Sequence, residues 1–170
     1  MKADIEAALA MLVGWSLHAS ARVVADIETF EFHGPTGVLG TRAIQVRCPW
    51  RLTEGTAIVA GYDDVRYPKG ANAAAEPAGF DWAAPGANRR DERLAAFFDR
   101  NAAHPPAVTA IEADDVGSLR LTLDHDVRLE LFPDDSLDDV TDSERWRFFQ
   151  PGADGPHFLV TGGGCDTVVG

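Results

Sequence analysis

Residues 119–131 read LRLTLDHDVRLEL, and this stretch decides the fold because it carries the clearest strand pattern in the chain. Leucine and valine alternate with polar residues on both sides of the central DHD, and a period of two is typical of strands with one buried face. A three-residue loop at 124–126 pairs Leu123 with Val127 and keeps the apolar side chains on one face. A two-residue loop would place Leu123 opposite an arginine. Because a slip of one residue exposes the whole apolar set, the first register is predicted.

A second strand pattern covers residues 43–52, which read AIQVRCPWRL. Its apolar side chains point to one side and are Ile44, Val46, Cys48, Trp50 and Leu52. Proline has no N–H to donate to a neighbouring strand, so Pro49 predicts an edge strand or a bulge at this point. A turn at 53–56 then leads to a hairpin partner at 57–62.

The remaining patterns predict an α+β architecture. Apolar residues at helical spacing predict helices at 4–13 and 90–102, and alternation predicts further strands at 17–23, 28–33, 108–113, 145–150 and 157–161. Two or three helices packed against about eight short, mostly antiparallel strands make an α+β domain. We expect a single globular domain over residues 1–170, with a long surface loop at 68–88 and a flexible tail from residue 162.

Composition limits the classes of function. The chain has 170 residues, 45% of them hydrophobic, and a formal net charge of −12. This apolar content excludes a disordered chain, and no apolar run is long enough to span a bilayer. The negative charge repels nucleic acid and attracts basic proteins, so the alternatives are a basic protein partner or an acidic protein with no partner, with neither nucleic acid nor membrane. Acidic residues interrupt the apolar stretch at the N-terminus, which predicts no signal peptide and a cytoplasmic location.

No motif of catalysis, metal binding or cofactor binding is recognised. The chain has no Gly-x-Ser-x-Gly turn, and Cys48 lies on an apolar strand face, which favours a buried structural thiol. No histidine lies three or four residues from another histidine or a cysteine, so no local metal site is predicted. An EF-hand frame that begins at Asp134 places Asp139 where glycine is required. We therefore predict no catalytic residue, no metal and no cofactor.

Two arginines on the polar side of the strand at 43–52 are candidates for ligand binding. Arg47 and Arg51 are predicted to lie ~13 Å apart on one sheet face. Their candidate counter-ions are Asp26, Glu28, Asp63 and Asp64. Structural Arg–carboxylate pairs are the simpler interpretation. The alternative is an anion or small-molecule pocket between this sheet and the 68–88 loop, with Arg47, Arg51, Asp63 and Trp82 as its ligand-binding residues.

An acidic segment follows the hairpin. Its candidate partner-binding residues are Asp134, Asp135, Asp138 and Asp139. A solvated loop is the simplest interpretation of such a charge run, and a docking patch for a basic partner is the alternative.

The run Cys48-Pro49-Trp50-Arg51-Leu52, together with Arg145-Trp146-Arg147-Phe148-Phe149, resembles small uncharacterised proteins of high-GC bacteria that carry a central C-P-W-R-L strand. The resemblance covers most of the chain. It implies that Trp50, Arg51 and Trp146 are core or core-edge positions. It implies no activity, because that group has no assigned function.

Three functional hypotheses follow. The leading one is a non-enzymatic protein-binding domain, in its sharpest version an immunity-type protein that neutralises a basic toxin or nuclease. The alternative is a small-molecule-binding domain or minor enzyme with its pocket beside the 68–88 loop. A third is a homodimer that pairs through the strand containing Pro49, so monomer and homodimer both stay open.

Overall fold

The computed structural model describes residues 1–24, 27–38, 40–70, 79–137 and 143–170. These residues contain eleven strands in two antiparallel sheets, a helix of 8 residues and a helix of 13 residues. The predicted α+β class is therefore wrong, and the fold is mostly β. Fewer strands were expected for two reasons. The strand predicted at 43–52 is divided into two strands, and the tail predicted from residue 162 contains a further strand.

The elements follow in chain order as α1 (Lys2–Leu9), a 3₁₀ turn (Ala10–Leu12), β1 (Ser16–Arg22), β2 (Glu28–His33), β3 (Thr41–Val46), β4 (Trp50–Glu54), β5 (Ala57–Gly61), a second 3₁₀ turn (Tyr62–Arg66), α2 (Arg89–Asn101), β6 (Val108–Ala113), β7 (Leu119–Leu123), β8 (Val127–Leu131), β9 (Glu144–Phe149), β10 (Pro156–Thr161) and β11 (Gly164–Val169). The first sheet has the order β1-β2-β3-β9-β10-β11, and the second has the order β5-β4-β8-β7-β6.

The predicted hairpin is confirmed. Leu121 pairs with Leu129 and Arg120 with Glu130, as the three-residue loop requires. His125 and Asp126 in that loop have φ values of 58° and 57°. Every leucine and valine of the alternating set is buried, so the burial of one face selects the register.

The strand predicted at 43–52 is divided between the two sheets. β3 lies between β2 and β9, and β4 lies between β8 and β5, with the chain crossing over at residues 47–49. Pro49 falls in this crossover and offers only its carbonyl, which accepts a hydrogen bond from Phe132 N at 2.8 Å. Neither strand is at an edge of its sheet, so the prediction of an edge strand at Pro49 is wrong, while monomer and homodimer both stay open. The apolar alternation continues through the crossover, which is why the pattern does not reveal it.

Residues 164–169, within the predicted flexible tail, form β11 and pair along their length with β10. The glycines after Thr161 make the tight turn between these strands, since Thr161 pairs with Gly164. The 68–88 loop is closed at its base by a bridge between Pro68 and Asn88 and by a hydrogen bond of 3.0 Å from Lys69 N to Ala87 O. Residues 71–78 of this loop lie outside the described part of the chain.

The two sheets share one core and meet at a hydrogen-bonded corner. Gly14 N donates to Val108 O at 2.8 Å, and Leu17 N donates to Pro106 O at 2.9 Å, which joins the start of β1 to the start of β6. Helix α2 buries Leu94 and Phe97 in the core that both sheets line. Each such fully buried apolar side chain contributes roughly 1.5–3 kcal/mol to folding.

Candidate partner-binding surface

Two loops meet beside the N-terminal end of β9. They are the β6–β7 turn at residues 114–118 and the segment at 132–137 that follows β8. We call the surface they form the acidic end, defined by Asp114, Asp115, Val116, Phe132, Asp134, Asp135 and Leu137. Two consecutive side chains of β9, Arg145 and Trp146, hold both loops in place.

Arg145 connects the two loops. Its Nη1 donates to Val116 O at 3.1 Å, and its Nη2 donates to Asp135 O at 2.8 Å and lies 3.3 Å from Asp135 Oδ1. Trp146 is fully buried, and its Nε1 donates to Gly117 O at 2.9 Å. The backbone of the acidic end is therefore attached to a central strand, a placement that limits the entropy lost when a partner binds.

The β6–β7 turn is stabilised by its own carboxylate. Asp114 Oδ1 accepts hydrogen bonds from Val116 N at 3.0 Å and from Ser118 N at 2.9 Å. Burial acts to raise the pKa of Asp114, but the hydrogen bonds from Ser118, Val116 and Gly117 outweigh it and lower the pKa. Asp114 is therefore ionised near neutral pH and holds the turn closed.

The acidic segment shows a similar balance. Burial acts to raise the pKa of Asp135, but the hydrogen bond from Arg145 and the backbone N–H of Leu137 lower it overall. Asp134 is exposed beside it. Asp138 and Asp139, the other two candidate partner-binding residues, lie outside the described residues.

Exposed apolar side chains lie among these carboxylates. Val116 is 63% exposed, Leu137 56% and Phe132 36%. The Phe132 ring packs under the Arg51 guanidinium, with 4.9 Å from Cζ to the ring centroid. A small cavity of about 190 Å³ opens next to Phe132 and has Asp114 and Ser118 on its wall. Protein interfaces commonly combine exposed apolar side chains with polar and charged groups.

Arg51 belongs to a ladder of charges across the outer face of the second sheet. Its Nε lies 2.6 Å from Glu130 Oε2, Arg120 Nε lies 3.0 Å from Glu130 Oε1, and Arg120 Nη1 lies 3.3 Å from Glu112 Oε2. Burial acts to raise the pKa of Glu130, but the hydrogen bonds from Arg51 and Arg120 lower it overall. This supports the structural interpretation of Arg51, with a counter-ion that the sequence analysis did not name.

The four candidate ligand-binding residues have separate neighbours. Arg47 lies in the crossover and pairs with Glu144 at 3.5 Å, so it does not share a strand with Arg51. Asp63 lies in the second 3₁₀ turn and pairs with Arg66 at 3.4 Å. Trp82 lines a cavity of about 310 Å³ together with three residues of that turn, Tyr62, Val65 and Arg66.

The resemblance to proteins with a C-P-W-R-L strand implied that Trp50, Arg51 and Trp146 are core or core-edge positions. Trp50 and Trp146 are buried, and Arg51 is exposed.

A second polar site lies between the first sheet and α2. Arg90 and Glu28 form an ion pair in the core, with 3.3 Å between Nε and Oε2, and Arg22 Nη2 lies 3.1 Å from Asp91 Oδ2. Beside these pairs is a cleft of about 490 Å³, lined by strand, helix and loop residues that include Ser20, Arg22, Glu28, Asp91, Leu94 and Phe98. Pro85 and Gly86 from the end of the 68–88 loop complete its wall.

Glu28 is the most perturbed carboxyl of this cleft. Burial raises its pKa to about 7, and the opposing effects of Arg90 and of a hydrogen bond with Ser20 are smaller. From the sequence, Glu28 is predicted only as a counter-ion for Arg47 and Arg51. The signal that could have found its real partner is Arg90, a charged residue four positions before Leu94 on the apolar face of α2.

Other chemistry is sparse in the described ranges. Burial raises the pKa of Cys48 to about 12, which leaves its thiol protonated and unreactive. Within residues 1–24, 27–38, 40–70, 79–137 and 143–170, no three histidine, cysteine, aspartate or glutamate side chains gather as a metal cage. Neither described helix has the length and apolar character needed to cross a membrane.

A comparison with protein-family models, with curated proteins and with solved structures finds no match to this chain. The resemblance based on the C-P-W-R-L strand therefore stays a prediction.

Proposed function

We propose that this protein is a non-enzymatic binding domain that recognises a basic protein partner through the acidic end. The observation that carries the proposal is the attachment of both loops to β9 through Arg145 and Trp146. This arrangement presents exposed apolar side chains and ionised carboxylates on one rigid support. A binding surface needs such preorganisation more than it needs area.

The charges and the apolar side chains have different roles in this proposal. A net charge of −12 accelerates the encounter with a cationic partner, and this steering weakens as salt screens the field. The exposed apolar side chains lose their contact with water when the partner binds, and they are Val116, Phe132 and Leu137. The partner class that fits is a protein with an apolar contact patch surrounded by lysine and arginine. An immunity-type protein for a basic toxin or nuclease is the sharpest version.

A charge-reversal experiment tests the proposal. The test variant is Asp115→Lys with Asp134→Lys, since both carboxylates are exposed. The control variant is Asp99→Lys with Asp154→Lys, which makes the same charge change at exposed sites on α2 and on the β9–β10 connection. Immobilised protein is used to capture partners from extract of the source cells at low and at moderate salt, and captured proteins are then purified for kinetic measurements.

We expect the unchanged protein and the control to retain a basic protein, and the test variant to bind it at least about tenfold more slowly. Association with the unchanged protein should slow as salt rises. Equal binding by both variants, or a captured partner that is indifferent to salt, would contradict the proposal, as would the absence of any specific partner.

The cleft at Glu28 favours a second candidate, a small-molecule-binding domain or minor enzyme. A half-enclosed pocket with a carboxyl of raised pKa is a common feature of ligand and active sites. Screening a library of small polar compounds by thermal shift tests it. A compound that binds the cleft should no longer raise the unfolding temperature of Ser20→Ala, because this substitution alters the cleft wall. It should still raise the unfolding temperature of the variant Asp115→Lys with Asp134→Lys.

A further inference from the structure

Two histidines that are distant in sequence stack on the outer surface of the first sheet. The rings of His18 on β1 and His33 on β2 have centroids 4.2 Å apart and an interplanar angle of 13°. Both residues are exposed. Hydrogen bonds between β1 and β2 bring these rings together, although the sequence shows no local histidine motif.

A β-bulge positions His18. Leu17 pairs with Phe32 and Ala19 pairs with Glu31, which leaves His18 as the extra residue without a partner in the ladder. Bulges re-aim a side chain and occur often at functional positions. Leu17 and Phe32 are buried on either side of this step, so the two imidazoles project from the opposite face toward solvent.

The surroundings leave the ring nitrogens available as ligands. Both imidazoles face solvent, so their ring nitrogens are accessible to an ion. Neutral imidazole is the most common metal ligand in proteins. On the neighbouring strands, Ser16 pairs with His33 on one side and Thr41 pairs with it on the other, and neither carries a charge. Glu31 lies two residues before His33 on β2 and is the nearest carboxylate in that strand.

We propose that His18 and His33 together bind a late first-row divalent transition-metal ion, with Cu²⁺ bound most tightly and water completing the coordination. Imidazole nitrogens suit Cu²⁺, Ni²⁺ and Zn²⁺, and the affinity of nitrogen sites for these ions is greatest for Cu²⁺. Two nitrogens that share one ion lie roughly 3 Å apart, because each metal–nitrogen bond is about 2 Å long. The lone pairs of the ring nitrogens lie in the ring planes, which are nearly parallel in the stack, so the two side chains must rotate out of the stack to share one ion.

Bound metal would connect β1 and β2 at the bulge. The ion would bind the folded state more tightly than the unfolded chain, because the two histidines meet only when the strands pair, so it would raise the unfolding temperature. This effect is independent of the acidic end and of its partner.

Titration with CuCl₂ tests the site in the full chain. We expect one Cu²⁺ with two nitrogen ligands in its electron paramagnetic resonance spectrum. His18→Asn and His33→Asn should each weaken binding at least about tenfold, and the double variant should weaken it little further. The matched control is His104→Asn, an exposed histidine outside the strands, which should bind as the unchanged protein does.

A second measurement requires no variant. In the unchanged protein, substoichiometric Cu²⁺ should broaden the nuclear magnetic resonance signals of residues around His18 and His33 before those around the other histidines. Zn²⁺ should compete with Cu²⁺ at higher concentration, and Mg²⁺ should not compete, because it prefers oxygen ligands. Broadening elsewhere first, unchanged affinity in His18→Asn, or an equal loss in His104→Asn would overturn the proposal.

Discussion

Glu28 of β2 and Arg90 of α2 form an ion pair inside the core, with Oε2 and Nε 3.3 Å apart and neither residue more than 2% exposed. The Arg90 guanidinium also lies 5.9 Å from the centroid of the Trp50 ring. A buried pair of this kind contributes little net stability, because each charge has lost its water. Its effect is seen when one partner is removed, since the other charge is then left in the core.

Arg90→Met is therefore expected to destabilise the fold by about 3–5 kcal/mol at pH 8, where Glu28 is ionised. The matched control is Arg93→Met on the exposed face of the same helix, which should change stability by less than about 0.5 kcal/mol. Urea unfolding of both variants measures the difference. Similar, small losses in both would show that the pair does not hold α2 on the sheet.

The raised pKa of Glu28 predicts a pH dependence with a definite sign. Glu28 has a pKa of about 7 in the folded chain against an ordinary value of 4.5. The folded state therefore binds the proton more tightly, so this group's contribution to stability is complete below pH 4.5 and is lost as pH rises through 7. The groups that face Glu28 are Arg90 and Asp91 on α2 and Arg22 and Ser20 on β1.

Glu28→Gln removes this titration. Relative to the unchanged protein, the variant should gain stability between pH 4.5 and 8, by an amount on the order of 3 kcal/mol. Urea unfolding measures the free energy of unfolding of both proteins across this pH range, and the value for the unchanged protein is subtracted from that of the variant. Carboxylates with lowered pKa values, such as Asp114 and Asp135, change stability with pH in the opposite direction, but they do so equally in both proteins and cancel in the difference. A flat difference curve would mean that Glu28 titrates near its ordinary pKa.

The sequence predicts the parts of this fold that depend on neighbouring residues along the chain. The hairpin at 119–131 follows from alternation and a short polar loop, and its register is confirmed. The division of the 43–52 strand is not predictable in this way, because Val46, Cys48 and Trp50 stay buried as the chain passes between the sheets. Alternation reports which side is buried and does not report which sheet buries it.

The candidate sites depend on contacts between distant residues, and most of these contacts are not predictable from the sequence. Asp134 and Asp135 stood out as a charge run, but Arg145 reaches their segment through a backbone carbonyl, which any residue could supply. Likewise, His18 and His33 meet only because β1 pairs with β2 at a bulge. Such pairs carry no spacing signal that a single sequence can show.

Gly117 supplies a third prediction because it lies where the acidic end contacts the core. Its φ is +89°, and a Cβ at this position would lie 2.9 Å from Val160 Cγ1. Gly117→Ala should therefore cost roughly 2–4 kcal/mol through backbone strain and overpacking together. Gly37→Ala is the control, with a φ of +91° and open space around the added carbon, and should show only the strain. Thermal unfolding of the two variants separates these effects, and equal losses would remove the steric argument.

Arg145 supplies the last prediction, which tests how the acidic end is held. Arg145→Met keeps much of the side-chain volume but loses the hydrogen bonds to Val116 O and Asp135 O. We expect faster amide hydrogen exchange in residues 114–118 and 132–137, a stability loss of about 1–3 kcal/mol, and weaker binding of any partner that uses this surface. Arg128→Met is the matched control, because Arg128 is exposed and pairs with Asp126 at 3.1 Å beside the β7–β8 loop. If exchange in the two loops is unchanged in Arg145→Met, then packing of Trp146 alone is sufficient to fix the acidic end.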